Sequence, residues 1–267
     1  MENNVIWIFI HLPKSGGTTM SEHLRKHCDS TEIWFHEDYP NDRDLKNLIE
    51  KKKNVRYIIG HEYSYGIHQL FPDKLARYVT FVRDPANRLL SRYNYDMSFI
   101  SSPKITPFEK WYQNQPQNEM TIFLDRKYRG LRESKVSYPD FLKLITNLVG
   151  LKKSKTITSM VRFLAKSLSK TNHGSLVNAK KLLDICWVVA ITEHLDEDLS
   201  LICTEIGIPS EAKRENISPK YLLKLSDELR EKIYKDNPLD LELYNHALNL
   251  NRIKREAICK NYIQAID

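Results

Sequence analysis

The sequence predicts an α/β fold, a mainly parallel sheet flanked by helices. Three observations carry that prediction. Short β-branched apolar runs alternate with stretches of helical spacing, the pattern of strand–helix units that bury both faces of a parallel sheet. Each run ends at glycine or polar residues, as Val5–Ile10 does at His11-Leu12-Pro13. Of the 267 residues, 41% are hydrophobic and 28% charged, which supplies a large core and argues against wholesale disorder.

The elements follow in order. Val5–Ile10 is the first strand, and Met20 and Leu24, one turn apart, predict a helix over Met20–His27. Ile33–Phe35 reads as a second strand, and Asp42–Lys53 as a helix with Leu45, Leu48 and Ile49 on one face. Val55–Ile59 is the third strand, ending at Gly60-His61, and Tyr78–Val82 the fourth, ending at Arg83-Asp84-Pro85. Pro85 suits the first turn of the helix that continues over Ala86–Tyr95. Trp187–Ile191 is another buried strand, followed by a helix over Leu195–Ile206 that Gly207 and Pro209 close. Leu222–Tyr234 and Leu239–Leu250 are late amphipathic helices. Neither internal repeats nor a low-complexity linker divide the chain, so a single domain over 1–267 is expected.

The net charge is +7, which points to an anionic partner without naming it. Between Arg126 and Lys170 twelve cations face only Glu133 and Asp140, a local +10 that leaves the remainder at −3. Ile157, Met160, Val161, Leu164 and Leu168 keep helical spacing there, as do Phe141, Leu144, Ile145 and Leu148. The segment at about 126–170 therefore reads as a basic helical insertion. It is either an element touching an anionic acceptor or a membrane surface, or two packed helices with a solvated face. It lacks the aromatic interleaving of a stacking platform, which argues against nucleic acid. Cys28, Cys186, Cys203 and Cys259 are scattered without a C-x-x-C pair, so buried free thiols in a reducing compartment are expected rather than a metal site. The start lacks a basic leader and cleavage site, and a cytoplasmic location follows as the expectation.

Two segments carry the chemistry. Pro13-Lys14-Ser15-Gly16-Gly17-Thr18-Thr19 joins the first strand to its helix. Paired glycines let backbone N–H groups approach an anion, Lys14 adds charge, and Ser15, Thr18 and Thr19 add hydroxyls. The G-x-x-x-x-G-K-[ST] order of a Walker A loop is absent. The second segment, Arg83 through Tyr93, sends Arg83 from another strand end. Arg88 lies three residues before Ser91 and four before Arg92 on the following helix, and a guanidinium with a hydroxyl suits a phosphate monoester. A solvated helix face is the plainer reading of Arg88 and Arg92, preferred for Arg92.

Together these segments resemble sulfotransferases that use 3′-phosphoadenosine 5′-phosphosulfate (PAPS). Phe9 through Thr19 resembles their 5′-phosphosulfate loop, and Tyr78 through Tyr93 their 3′-phosphate segment. Trp187–Glu197, with Ile191-Thr192-Glu193-His194, and Lys213-Arg214-Glu215-Asn216-Ile217-Ser218 extend the likeness. The closest match is the carbohydrate group that includes heparan sulfate 2-O-sulfotransferase. The resemblance implies a P-loop-like three-layer sandwich and PAPS as sulfuryl donor, with PAP as product and no metal. It assigns Lys14, Ser15, Gly16, Gly17, Thr18 and Thr19 to the phosphosulfate and Arg83 and Ser91 to the 3′-phosphate. By the same resemblance, Arg214 and Ser218 are expected in a loop that closes over the donor.

A hydroxyl acceptor needs a base, and His61 ends the third strand at the same sheet edge as both anion segments. In the resembling group a Gly-His at this place carries the base. The plainer reading has His61 capping the strand or bonding a backbone carbonyl. Glu62 and Glu37 are the carboxylate competitors, with His36 beside Glu37. His11 reads as support for the loop. His68, His173, His194 and His246 show no partner pattern and read as surface or helix-end residues. The expected activity is transfer of a sulfuryl group from PAPS to a hydroxyl, on a glycan or lipid-linked glycan. Group members of this kind usually carry a membrane anchor in the Golgi; no such segment is read in this sequence, which puts a glycosaminoglycan acceptor in doubt and makes a bacterial-type cytoplasmic role the expectation. The rival readings are a P-loop kinase or NTPase and a non-catalytic nucleotide- or polyanion-binding module.

Overall fold

The computed structural model describes residues 4–36, 50, 54–61, 65–98, 106–128, 173–210 and 225–264. Five strands form one parallel sheet: β1 (Val5–Ile10), β2 (Ile33–His36), β3 (Tyr57–Gly60), β4 (Leu75–Val82) and β5 (Val188–Ile191), in the order β2-β3-β1-β4-β5. The described helices are α1 (Gly17–His27), α2 (Pro85–Ser98), α3 (Phe108–Tyr112), α4 (Glu119–Tyr128), α5 (His173–Ile185), α6 (Leu195–Ile206), α7 (Asp227–Asp236) and α8 (Pro238–Gln264). Among the described residues no helix is long and apolar enough to cross a membrane.

The two-residue period of the strands builds the layers. On one face Ile6, Ile8 and Ile10 of β1 join Ile58, Tyr78, Val82, Val189 and Ile191, covered by Met120, Leu124, Leu176, Leu182, Leu183 and Leu243 of α4, α5 and α8. On the other, Trp7 and Phe9 join Tyr57, Ile59, Val79, Phe81 and Ala190, covered by Met20 and Leu24 of α1 and Leu195, Leu199, Ile202 and Ile206 of α6. That is a three-layer sandwich with the buried, continuously apolar central strand expected of a parallel sheet. A third cluster, Leu89, Tyr93, Met97, Phe108, Trp111, Tyr112 and Ile233, packs α2, α3 and α7 beyond the edge where the strands end.

Local chemistry sets the helix ends. Asp196, Glu197 and Asp198 crowd the first turn of α6, and Gly207 closes it at φ 75°. Ser226 caps α7 by accepting from the Leu229 amide at 3.2 Å.

The expected elements appear with shifted bounds. β4 starts three residues early, because Leu75–Arg77 continue the ladder against Val5–Trp7. Helix α8 runs well past Leu250, where Asn251 donates to the Val189 carbonyl at 2.9 Å and Lys254 to the Asp184 carbonyl at 2.8 Å. Helices α3, α4 and α5 were not expected; α4 and α5 cover the sheet together. The expected helix over Asp42–Lys53, the start of the one at Leu222 and the insertion beyond Tyr128 lie outside the described residues, Glu50 excepted. Two thiols depart from the expectation: Cys186 and Cys203 are buried, but Cys28 is half-buried and Cys259 exposed, because Cys259 sits on the outer part of α8.

Candidate active site

All five strands are parallel, so the segments after β1, β3, β4 and β5 emerge at one edge of the sheet. From β1 the chain crosses to the edge strand β2 and returns to β3 beside β1, then passes to β4 and β5 on the other side, and such a reversal leaves a crevice at the carboxyl ends of the strands. Lys14, His61, Arg83 and Thr192 all lie at that edge.

The loop after β1 turns through left-handed backbone at Lys14 (φ 67°) and at Gly16 (φ 95°), which precedes the first residue of α1. Gly17 meets a different demand. A Cβ there would lie 2.2 Å from His11 Cδ2, so only hydrogen fits between helix and ring. Ser15 is 0% exposed, and its Oγ finds no hydrogen-bond partner among the described residues. The Arg83 Nε is likewise buried and unpartnered, while its Nη1 donates to the Lys14 carbonyl at 3.2 Å. Buried donors left unpaired are costly in a native fold. Here they stand by the start of α1, whose first amides have no partner within the helix, and such donors fit anionic phosphate or sulfate groups.

Two cations define the charge of this edge. Burial lowers the Lys14 pKa from its ordinary value, and Arg92 and Arg83 push it the same way against Asp96. Its ammonium lies 4.1 Å from the centre of the Tyr95 ring on α2. Burial also lowers the Arg83 pKa, opposed by Glu193 and Asp84. Ser91 is half-buried on the second turn of α2, the helix that carries Arg92 and Tyr95.

His61 and His11 form a stacked pair, with ring centroids 4.0 Å apart. The His61 Nδ1 donates to the His11 carbonyl at 2.7 Å, which leaves the lone pair of the neutral ring on Nε2. The carbonyl bond expected of the plainer reading is thus present, and it also sets the tautomer. His11 is 6% exposed, and burial, then His61 and Lys14, hold its pKa well below the ordinary imidazole value.

Several expectations are corrected. Arg88 is not on a solvated face and does not reach the anion loops: it is 2% exposed and donates to Glu119 at 2.6 Å, pinning α2 to α4. Arg92 is also partly buried, paired with Glu119 at 3.4 Å and Asp96 at 3.5 Å. His68 meets the Tyr78 hydroxyl at 2.8 Å, and His246 meets Asp184 at 2.8 Å, so both have partners. Arg214, Ser218, Glu37 and Glu62 lie outside the described residues, and His36 ends β2.

Sequence reasoning gave no role to the turn after β5. Thr192 Oγ1 donates to the Ser15 carbonyl at 2.8 Å and also lies 3.2 Å from the Val82 carbonyl. Glu193 accepts from the Asp84 amide at 3.3 Å, Asn87 Nδ2 at 3.2 Å and the Tyr244 hydroxyl at 3.2 Å. Asp84 in turn accepts from Arg230 at 3.2 Å and the Tyr234 hydroxyl at 2.7 Å. The available signal was position: Thr192 follows a strand at the same edge as the other loops.

A protein-tyrosine sulfotransferase of Arabidopsis thaliana is 29% identical over 249 residues, covering 74% of this chain and 49% of that protein. The chain thus spans about half the length of that curated relative. Two solved structures align at 14% identity. One is a sulfotransferase from Alicyclobacillus acidocaldarius, with 93% and 96% of the two chains covered and a TM-score of 0.42. The other is mouse sulfotransferase SULT7A1 complexed with PAP, with 97% and 90% covered and a TM-score of 0.36. The profile described as "Sulfotransferase family" matches residues 2–247, and the chain belongs to that family.

Proposed function

We propose that this sulfotransferase moves a sulfuryl group from PAPS to a hydroxyl on a carbohydrate, with His61 as the base. PAPS supplies the activated group: the acceptor oxygen–sulfur bond forms as the bridging P–O–S linkage breaks, and PAP departs. The observation that carries the reading is the His61 Nδ1 bond to the His11 carbonyl, because it leaves the lone pair on Nε2 at the edge where Ser15 Oγ and Arg83 Nε are unpaired among the described residues. The acceptor proton goes to Nε2. Held neutral by burial, His11 presents no second cation to the imidazolium so formed. Lys14 offsets charge on the departing bridge oxygen, with Ser15, Gly16, Gly17, Thr18 and Thr19 around the phosphosulfate. Arg83 and Ser91 hold the 3′-phosphate, and Arg214 and Ser218 belong to the same donor site. The cytoplasm remains the proposed place of action, on the four free thiols.

A second reading has a phenol as acceptor, since the Arabidopsis relative is named for tyrosine. One experiment separates them. The purified chain is incubated with radiolabelled PAPS and a panel of glycosaminoglycans, lipid-linked oligosaccharides and tyrosine peptides. Label on glycan alone supports the carbohydrate reading. Label on peptide alone replaces it with the phenolic one, and label on neither while PAP binds points to a binding module.

A further inference from the structure

The fifth strand ends in a turn that touches both anion segments. We propose that Thr192 is a positioning residue that aims the Gly16 amide at the donor's 5′-phosphosulfate; this rests on the donor assignment above.

In a planar trans peptide the C=O of one residue and the N–H of the next point in opposite directions, and no cis bond occurs among the described residues. Arg83 Nη1 holds the Lys14 carbonyl at 3.2 Å, so the Ser15 N–H faces away from the Arg83 guanidinium. Thr192 holds the Ser15 carbonyl at 2.8 Å, so the Gly16 N–H faces away from the end of β5. Two successive carbonyls are thereby drawn back into the protein, and two successive amides face the other way. That is the arrangement an anion requires. The need for an external tether is local. Lys14 and Gly16 both adopt left-handed backbone around Ser15, and the Ser15 side chain makes no bond of its own among the described residues.

Thr192 is itself fixed. It opens the short 3-10 turn Thr192–His194, and Glu193 ties that turn to Asp84, Asn87 and Tyr244. A single hydroxyl hydrogen serves two carbonyls, and the shorter distance assigns it to Ser15 rather than Val82.

The test uses Thr192→Val, which keeps the shape and removes the hydroxyl, and Thr192→Ser, which restores it. The probes are 5′-AMP and 3′-AMP, each with one of the two phosphates. Thr192→Val should weaken 5′-AMP about fivefold or more, the worth of one lost hydrogen bond, and leave 3′-AMP within about twofold; Thr192→Ser should recover 5′-AMP binding. Equal weakening of both nucleotides, or of neither, overturns the proposal while leaving the donor assignment standing. A wild-type chain that binds neither nucleotide, nor PAP, sinks the donor assignment instead. The positioning role is then judged in the ligand-free chain, by hydrogen exchange of peptides spanning residues 13–19. Faster exchange in Thr192→Val, reversed in Thr192→Ser, supports the aiming of this loop; unchanged exchange overturns it.

Discussion

Replacing Gly17 with alanine sets helix propensity against space. Alanine in a helix is favoured over glycine by at most about 1 kcal/mol. The added Cβ, however, would sit 2.2 Å from His11 Cδ2 and 2.6 Å from both Cγ and Nε2. The ring has little room to retreat, because it is buried and stacks on His61 at 4.0 Å. Overpacking costs about 1–3 kcal/mol and a 2.2 Å contact belongs at the upper end, so the balance is a loss of ~2 kcal/mol, or a Tm lower by about 4–8 °C for a chain this long. Differential scanning calorimetry of the ligand-free protein measures it. The double variant Gly17→Ala with His11→Ala should recover stability relative to His11→Ala alone, since removal of the ring removes the clash. A Gly17→Ala protein as stable as wild type, or more so, would refute the reasoning, because propensity would then outweigh the contact.

Four further outcomes follow. Charge reversal at Arg83, Arg83→Glu, should weaken PAP at least about a hundredfold, because it sets a carboxylate against a phosphate in a buried place; near-normal affinity by calorimetry contradicts the 3′-phosphate role. His61→Ala should abolish turnover while PAP binding persists, and full activity would move the base to Glu37 or Glu62. Stability should fall on acidification below the ordinary imidazole pKa of about 6.5, because the unfolded chain takes up a proton there that His11 in the fold refuses. His11→Phe should flatten that slope in a pH series of melting curves, and an unchanged slope counts against a neutral His11. Maleimide should label Cys259 in the native protein and leave Cys186 and Cys203 unreacted until unfolding, since burial pushes both thiols up to about 12; rapid labelling of all four contradicts the burial pattern.

The parts of the fold legible in the sequence were those where one local signal decides. β1 is apolar on both faces and ends at a proline and glycines, so strand, loop and sheet class follow together. Pro85 and Gly207 mark helix ends through φ alone. Helices α4 and α5 were not legible, because their apolar faces acquire meaning only against the sheet. Arg88 shows the limit most clearly. Spacing placed it beside Ser91, but whether it faces water or Glu119 depends on α4, some thirty residues onward. In the candidate site the strand ends revealed Lys14, His61 and Arg83 because the sheet direction brings them to one edge. Thr192 stayed hidden because its partner is a backbone carbonyl, and a carbonyl carries no residue-type signal.

The left-handed backbone at Lys14 sets the residue's chemistry against its conformation. A lysine there carries a strain of about 1 kcal/mol that glycine would relieve. Selection for thermal tolerance alone would therefore drift toward glycine at this position and discard the ammonium beside Tyr95. On the role proposed for Lys14, a library sorted by survival on heating will be enriched in chains that fold better and transfer nothing, so any effort to harden this protein has to screen for turnover from its first round.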